Sequence, residues 1–450
     1  MQPFHYHVFV CEQQKPEGLA CCAARGGHAV LEALRREVGM RGLAGEVQVT
    51  SCGSLGLCER GPNMVVYPEG AWYSGVRPED VPEIVESHFR RGMPVARLMN
   101  TAEAAVRGEI EGNRDRYLAA MRARDASGAL PDDLLATIAA FRESRVMLTA
   151  IELDLFDAVG EGTTAPEVAA RLGADPRAAE MLLNALVSMG MLAKRDGVFR
   201  NTPEAARYFT AASPDNSRMA MMHQARLWRT WSHLTESVRS GRPAPPETED
   251  RALWTEAFIA AMHKNAAGRA GQVVEAAGTA GVRRLLDAGG GSGAYSIAFA
   301  QASPTLEAEV FDREPVVAIA QRHIRAAGLE ARVATRIGDL RTDDFGSGYD
   351  LVLLSAICHM FSPDENRDLL RRCRAALHPG GRLAIQDFIL DAGKTSPKHA
   401  ALFSLNMLVG TEGGASYSAG EYEAWLSEAG FRGTRLIPLP GPASVLLASA

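Results

Sequence analysis

Four glycines fall within five consecutive positions, Gly289-Gly290-Gly291-Ser292-Gly293, and they constrain the fold more than any other stretch of the chain. Leu285, Leu286 and Asp287 lead into them, and an apolar run from Ala294 to Ala300 follows. The pattern reads as strand, tight turn and helix. Glycines let a ligand approach the backbone of the turn, and the helix N-terminus offers unpaired N–H groups. A nucleotide-like ligand is the natural occupant. Short apolar strands recur around this turn at Arg284–Ala288, Ala308–Asp312, Ala331–Ile337, Leu351–Ser355 and Arg382–Asp387, with helical segments between them. That alternation predicts a parallel α/β sheet, whose ligands sit at the C-terminal strand ends. Asp312 ends the second strand, about 20 residues beyond the glycines, where a carboxylate can accept from two ribose hydroxyls. Asp339 ends the third strand and can accept from an exocyclic amine. Ser355 and His359 follow the fourth. Gly289, Gly291 and Ala294 also satisfy the dinucleotide pattern, so NAD is an alternative ligand at this level.

A chain of 450 residues is long enough for two or three domains. A net charge of −6 predicts no attraction to nucleic acid or to an anionic membrane surface. No apolar run approaches the ~20 residues that span a bilayer, and the N-terminus lacks the basic and apolar regions of a signal peptide. A cytoplasmic location is expected.

Five of the seven cysteines (Cys11, Cys21, Cys22, Cys52 and Cys58) fall within the first 58 residues. In a cytoplasmic protein such a cluster points to metal or redox chemistry rather than disulfides. Cys358 and Cys373 lie in apolar segments and read as small buried hydrophobes. Around the cluster, strands are expected at His5–Val10 and Val47–Thr50, a helix over Gly26–Met40, a hairpin through Met64–Tyr73 and a closing helix over Pro78–Phe89. This β-α-β-β-β-α order suits a small thioredoxin-like sandwich over residues 1–100. An iron–sulfur cluster needs four thiolates; zinc accepts them too, but its structural sites favour closer pairs. Residues 101–131, rich in charge and alanine, read as a solvated helix or linker.

Residues 132–250 are predicted to be mainly helical. Thr163-Thr164-Ala165-Pro166-Glu167 opens one helix with a cap and an early proline, Asp175-Pro176 opens another, and Met191–Arg200 forms a hairpin. This is a winged-helix unit. Its second helix carries Arg177 and Glu180 but is otherwise mostly apolar, so it lacks the basic and amide groups that read DNA. A dimerisation and substrate-wall role fits better. The Met- and Trp-rich segment around Met219, Met221, Met222, His223, Trp228, Trp231 and His233 reads as core, and an adaptable Met-rich wall also suits a flat organic substrate. Residues 251–450 hold the α/β sheet.

Two resemblances extend this reading. Phe9-Val10-Cys11, Cys22 and the segment from Gly56 through Cys58 to Gly70 resemble the thioredoxin-like [2Fe-2S] ferredoxins. The resemblance implies one [2Fe-2S] cluster on Cys11, Cys22 (or Cys21), Cys52 and Cys58, and with it a redox partner. Ser54 occupies the usual place of the third cysteine, and Cys52 lies two residues earlier. Asp287 before the glycine turn, Gly293 at its end and the Pro379-Gly380-Gly381 loop resemble class I S-adenosylmethionine-dependent methyltransferases. Ile357–Glu365, with His359 at its centre, is similar to the plant-type and bacterial small-molecule O-methyltransferases that carry an N-terminal dimerisation domain. That resemblance implies a homodimer and a methyl acceptor that is a small, aromatic hydroxyl compound. It implies S-adenosyl-L-methionine at Asp287, Gly289, Gly290, Gly291, Asp312, Asp339, Leu340 and Ser355. It also implies His359 as general base and Asp387 as the acid that orients it. Plant members carry a second acid where this chain has Ser416. A redox-sensing regulator on DNA, or an electron carrier whose second half only binds ligand, are the competing functions.

Overall fold

The computed structural model describes residues 3–15, 19–100, 102–128, 130–246 and 251–450. The chain divides into two compact units, Met1–Ala140 and Phe141–Ala450.

The first unit holds four strands: β1 (Tyr6–Cys11), β2 (Val47–Cys52), β3 (Asn63–Tyr67) and β4 (Ala71–Ser74). They form a sheet in the order β2-β1-β3-β4, with β1 and β2 parallel and the other pairs antiparallel. Alternate residues of β1, Tyr6, Val8 and Val10, are buried, as period-two patterning requires. They pack with Leu34 of the Gly27–Met40 helix and with Met64, Val66 and Ile84. The charged segment expected to be a solvated helix or linker is a 25-residue helix, Glu103–Ser127. It does not merely bridge: Asn113 donates to the Gly56 carbonyl at 2.7 Å and Arg60 pairs with Glu109 at 2.6 Å, so it belongs to this unit. Its apolar contact is narrow, which is why composition alone reads it as solvated.

In the second unit, β5 (Thr163–Thr164), β6 (Leu192–Arg195) and β7 (Val198–Asn201) form a small sheet in the order β5-β7-β6. The helices Ala165–Leu172 and Pro176–Ser188 precede its hairpin. Thr164 and Glu167 form a capping box on the first, and Asp175 caps the second by accepting from the Ala178 amide at 2.8 Å. Phe156, Val168, Leu183, Leu186 and Phe199 fill the core beneath.

The larger sheet contains β8 (Arg284–Ala288), β9 (Glu307–Asp312), β10 (Val333–Ile337), β11 (Tyr349–Ser355), β12 (Leu377–Asp387), β13 (Arg432–Pro438) and β14 (Ser444–Ser449). Their order is β10-β9-β8-β11-β12-β14-β13; the first five are parallel and the last two antiparallel. The order reverses between β8 and β11, so a crevice opens at the C-terminal ends of these two strands. Val352, Leu354, Leu383 and Ile385 are buried in the core on one face of the sheet, and Leu351, Leu353 and Ala384 in the core on the other. Strands buried on both faces read as continuous apolar runs, which is why they are legible in the sequence. The antiparallel pair β13 and β14 was not expected from the sequence.

Among the described residues, no helix is long and apolar enough to cross a membrane.

Candidate active site

The glycine turn joins β8 to the Ala294–Ala302 helix. Gly289 has φ +75°, and a Cβ there would lie 2.3 Å from Ile357 Cδ1 and 2.9 Å from Leu340 Cδ1. The position requires glycine on both counts. Gly291 has φ +58° with nothing within 4 Å of where a Cβ would stand, so its outer side is open. The Gly291 amide donates to Asp312 Oδ2 at 2.9 Å, and the Arg313 amide donates to Asp312 Oδ1 at 2.8 Å. Each carboxylate oxygen keeps a lone pair free for a further donor. Burial pushes the Asp312 carboxyl above its usual range, against these two amides.

Asp287 has a different position. It is fully buried, and its Oδ2 accepts from Ser296 Oγ at 2.8 Å while Oδ1 has no partner. Burial pushes its carboxyl up to about 6. A Cβ on Gly290 would meet Asp287 Cγ at 2.7 Å, so the carboxylate lies directly under the turn and braces it against the helix. Asp339 is exposed at the end of β10, where its Oδ1 accepts from the Arg341 amide at 2.8 Å. Leu340 packs on the core beside Gly289. Ser355 donates to Gln386 Oε1 at 2.7 Å, and Tyr295 donates to the same oxygen at 3.1 Å.

The turn after β11 delivers the histidine. Ala356 adopts φ +56°, in the left-handed region a non-glycine residue seldom occupies, and its amide donates to the Gln386 carbonyl at 2.9 Å. The short helical turn Cys358–Met360 follows. His359 Nδ1 meets Asp387 Oδ1 at 2.6 Å, and its backbone amide donates to Oδ2 at 3.2 Å. The Phe388 amide also donates to Oδ1, at 2.8 Å. His359 and Asp387 are both buried. Burial alone would push the Asp387 carboxyl up, but the facing imidazole, its hydrogen bond and the Phe388 and Tyr422 donors outweigh it, holding the carboxyl below its usual value. Asp387 is therefore the ionised acceptor. In the neutral tautomer whose Nδ1–H donates to it, the imidazole lone pair lies on Nε2.

Sequence reasoning missed the aromatic wall beside this pair. Phe403 stands edge-on to the His359 ring at 4.8 Å between centroids, and Phe388 packs on Phe403 at 4.5 Å and on His399 at 4.8 Å. Trp231 Nε1 donates to Asn406 Oδ1 at 2.8 Å and ties the Arg218–Trp231 helix to the Lys398–Gly410 helix. The only local signal for Phe388 is its place after Asp387; Phe403 and His399 carry no local signature, because they converge only through tertiary packing. Ser416 is 2 % exposed and its Oγ has no partner.

In the first unit, register places Cys11 opposite Cys52 at the ends of β1 and β2. A hydrogen bond from Cys22 lowers the Cys11 thiol to about 6 against the effect of burial, and burial, then Cys11 and Glu12, push Cys52 up to about 11. Asn63 Nδ2 donates to Cys22 Sγ at 3.3 Å, and Lys15 Nζ donates to Cys58 Sγ at 2.9 Å. The thiols match iron–sulfur chemistry in kind. As placed, however, no three of the His, Cys, Asp or Glu side chains among the described residues gather around a point that could hold a metal.

An O-methyltransferase domain family matches residues 231–432, and an O-methyltransferase dimerisation domain family matches residues 135–211. The 3-hydroxy-5-methyl-1-naphthoate 3-O-methyltransferase of Streptomyces sahachiroi is 37% identical over 308 residues, which cover 67% of this chain and 89% of that protein. The tetracenomycin polyketide synthesis 8-O-methyl transferase of Streptomyces glaucescens is 30% identical, over 69% of this chain and 94% of that one. The crystal structure of human N-acetylserotonin methyltransferase in complex with S-adenosylmethionine superposes with a TM-score of 0.62 at 28% identity, covering 70% of this chain and 96% of that one. The chain belongs to the S-adenosylmethionine-dependent O-methyltransferases. It carries their dimerisation domain, over residues 135–211. The cradle suits S-adenosylmethionine: Gly291 leaves its outer side open, Asp312 keeps acceptor capacity, and Gln386 Nε2 is a buried donor with no partner.

Proposed function

We propose that this homodimeric enzyme methylates a hydroxyl of a small aromatic acceptor, with His359 as general base and Asp387 as its orienting acid. The observation that carries the reading is the buried 2.6 Å contact between His359 Nδ1 and Asp387 Oδ1 at the ends of neighbouring strands. S-adenosylmethionine, when bound, supplies a methyl group on a positively charged sulfur. Gly289, Gly290 and Gly291 would give it backbone to rest on, Asp312 would accept from its ribose hydroxyls, and Asp339 and Leu340 would hold its adenine end. Ser355 faces the same end of the sheet. The wall of Phe388 and Phe403 packs the aromatic acceptor, excludes water and brings its hydroxyl to His359 Nε2. His359 takes the proton as the oxygen becomes nucleophilic, and Asp387 holds the tautomer and balances the imidazolium. Positioning and deprotonation are then the protein's contribution to an in-line displacement. Incubation of the purified dimer with S-adenosylmethionine and a panel of hydroxylated benzoates, naphthoates and polyketide aromatics, read by mass spectrometry, tests this. A mass gain of one methyl on oxygen supports it; methylation of carbon or nitrogen only, or none, refutes it.

The first unit reads as a thioredoxin-like ferredoxin module, a role supported by the resemblance of Cys58–Gly70 and by the sheet order with Cys11 and Cys52 at one end. The residues that would hold such a cluster are Cys11, Cys22, Cys52 and Cys58; Cys11 lies opposite Cys52 across β1 and β2 and is hydrogen-bonded to Cys22. No step of methyl transfer passes through it. Anaerobically purified protein is expected to contain about two irons and two sulfides per chain, the [2Fe-2S] content, and Cys22→Ser to lose them. Protein free of iron under those conditions removes the cluster from the account.

A further inference from the structure

Asp387 does more than face His359: a second side chain donates to its other oxygen. Four donors converge on this carboxylate. Oδ1 accepts from His359 Nδ1 and the Phe388 amide, and Oδ2 accepts from the His359 amide at 3.2 Å and from the Tyr422 hydroxyl at 3.0 Å. Tyr422 lies on the Ala419–Glu428 helix and is 1 % exposed. Its ring is fixed edge-on by Trp425 at 5.5 Å and by Tyr417 at 6.1 Å. Burial, and then the Asp387 charge, hold its phenol well above the usual value, so it stays protonated and donates its proton to the ionised carboxylate. At Ser416, where the plant-type pattern has a second acid, the hydroxyl is buried without a partner. Among the described residues, Tyr422 is the one side chain besides His359 that donates to this carboxylate.

We infer that Tyr422 is a positioning residue for the base: its hydroxyl fixes the rotation of the Asp387 carboxylate and takes up part of its negative charge. The inference rests on the reading of His359 as the base. Without the hydroxyl, Oδ2 would keep only the long bond from the His359 amide. The carboxylate would become more basic and would hold the imidazolium proton more tightly. The other titratable groups around it do not replace the phenol. Cys358 lies on the same turn as His359 and Cys373 on the Pro363–Ala376 helix; burial pushes Cys358 well up and Cys373 to about 12, so both are neutral. Tyr417 donates to the Phe361 carbonyl at 2.5 Å. Glu365 and Glu421 are engaged at their own helix caps by Ser362 and Ser418.

The test is the pH profile of kcat/KM for Tyr422→Phe, which keeps the ring and removes the hydroxyl. The acid limb is expected to move to higher pH by about one unit, the size of one hydrogen bond to a charged group. Turnover at neutral pH would then fall about 3- to 10-fold and recover above the new limb, with affinity for S-adenosylmethionine unchanged. A loss of equal size at every pH would mark a packing role and overturn the inference, as would an unchanged profile. If the phenylalanine variant does not fold, site-specific 3-fluorotyrosine at position 422, a stronger donor of nearly the same shape, is expected to move the limb to lower pH. A limb left in place by it overturns the inference too. His359→Ala, measured alongside, separates the two readings. Wild-type turnover in His359→Ala removes the base itself; an inactive His359→Ala with a pH-independent Tyr422→Phe removes only the role of Tyr422.

Discussion

His359→Ala is expected to lower kcat for methyl transfer by about 10²- to 10⁴-fold, the range over which a positioned general acid–base acts. The loss should fall on kcat, with the dissociation constant for S-adenosylmethionine unchanged, because the proposed cofactor cradle is the β8 turn, Asp312 and the end of β10. Tyr422, Phe388 and the backbone amide would still fill the acceptor positions of Asp387 apart from the one that His359 Nδ1 occupies. That leaves the carboxylate buried with one donor fewer, so a modest loss of stability should accompany the loss of rate. Isothermal titration with the cofactor and steady-state kinetics on the same preparation separate the two effects. A variant that binds cofactor but turns over at the wild-type rate contradicts the base assignment.

Gly289→Ala is expected to damage the cradle and the base together. The residue holds φ +75°, which costs an L-residue about 1–2 kcal/mol. The new methyl would stand 2.3 Å from Ile357 Cδ1. Ile357 can yield only by shifting in a core where it is 7% exposed, and forcing an extra carbon into such packing costs about 1–3 kcal/mol. The combined expectation is a loss of about 2–5 kcal/mol in denaturant unfolding. Because Ile357 is two residues from His359, the displacement also reaches the base. Binding of S-adenosylmethionine should weaken at least about 10-fold, the equivalent of ~1.4 kcal/mol. Unchanged unfolding midpoint and unchanged cofactor affinity would show that this close approach is not needed.

The parallel strands and the glycine turn were legible because each is local: buried strands are continuous apolar runs, and the turn's glycines answer a backbone demand. His359 and Asp387 could be paired in advance only through the resemblance, since 28 residues separate them and only the parallel register of β11 and β12 brings them together. Tyr422, Gln386 and Phe403 were not legible. A tyrosine on an amphipathic helix looks like core until the carboxylate it donates to is seen. Asp287 illustrates the opposite case. Its place before the glycines suggested a cofactor contact, but it is fully buried beneath the turn and bonded to Ser296. The long helix Glu103–Ser127 was read as a solvated helix or linker because its sequence is polar on most sides; its attachment depends on a few contacts such as Asn113 with the Gly56 carbonyl. The cysteine cluster was visible as composition, while the positions of the thiols depend on loops whose paths the sequence does not specify.

The central claim is that this chain moves a methyl group from S-adenosylmethionine to an aromatic hydroxyl through His359. The most direct measurement follows methyl-labelled S-adenosylmethionine with a hydroxylated aromatic acceptor, comparing wild type with His359→Ala at saturating cofactor. The account predicts label on the acceptor oxygen with the wild type and almost none with the variant, at equal cofactor occupancy. Equal labelling by the two proteins, or label found only on carbon or nitrogen, would contradict it.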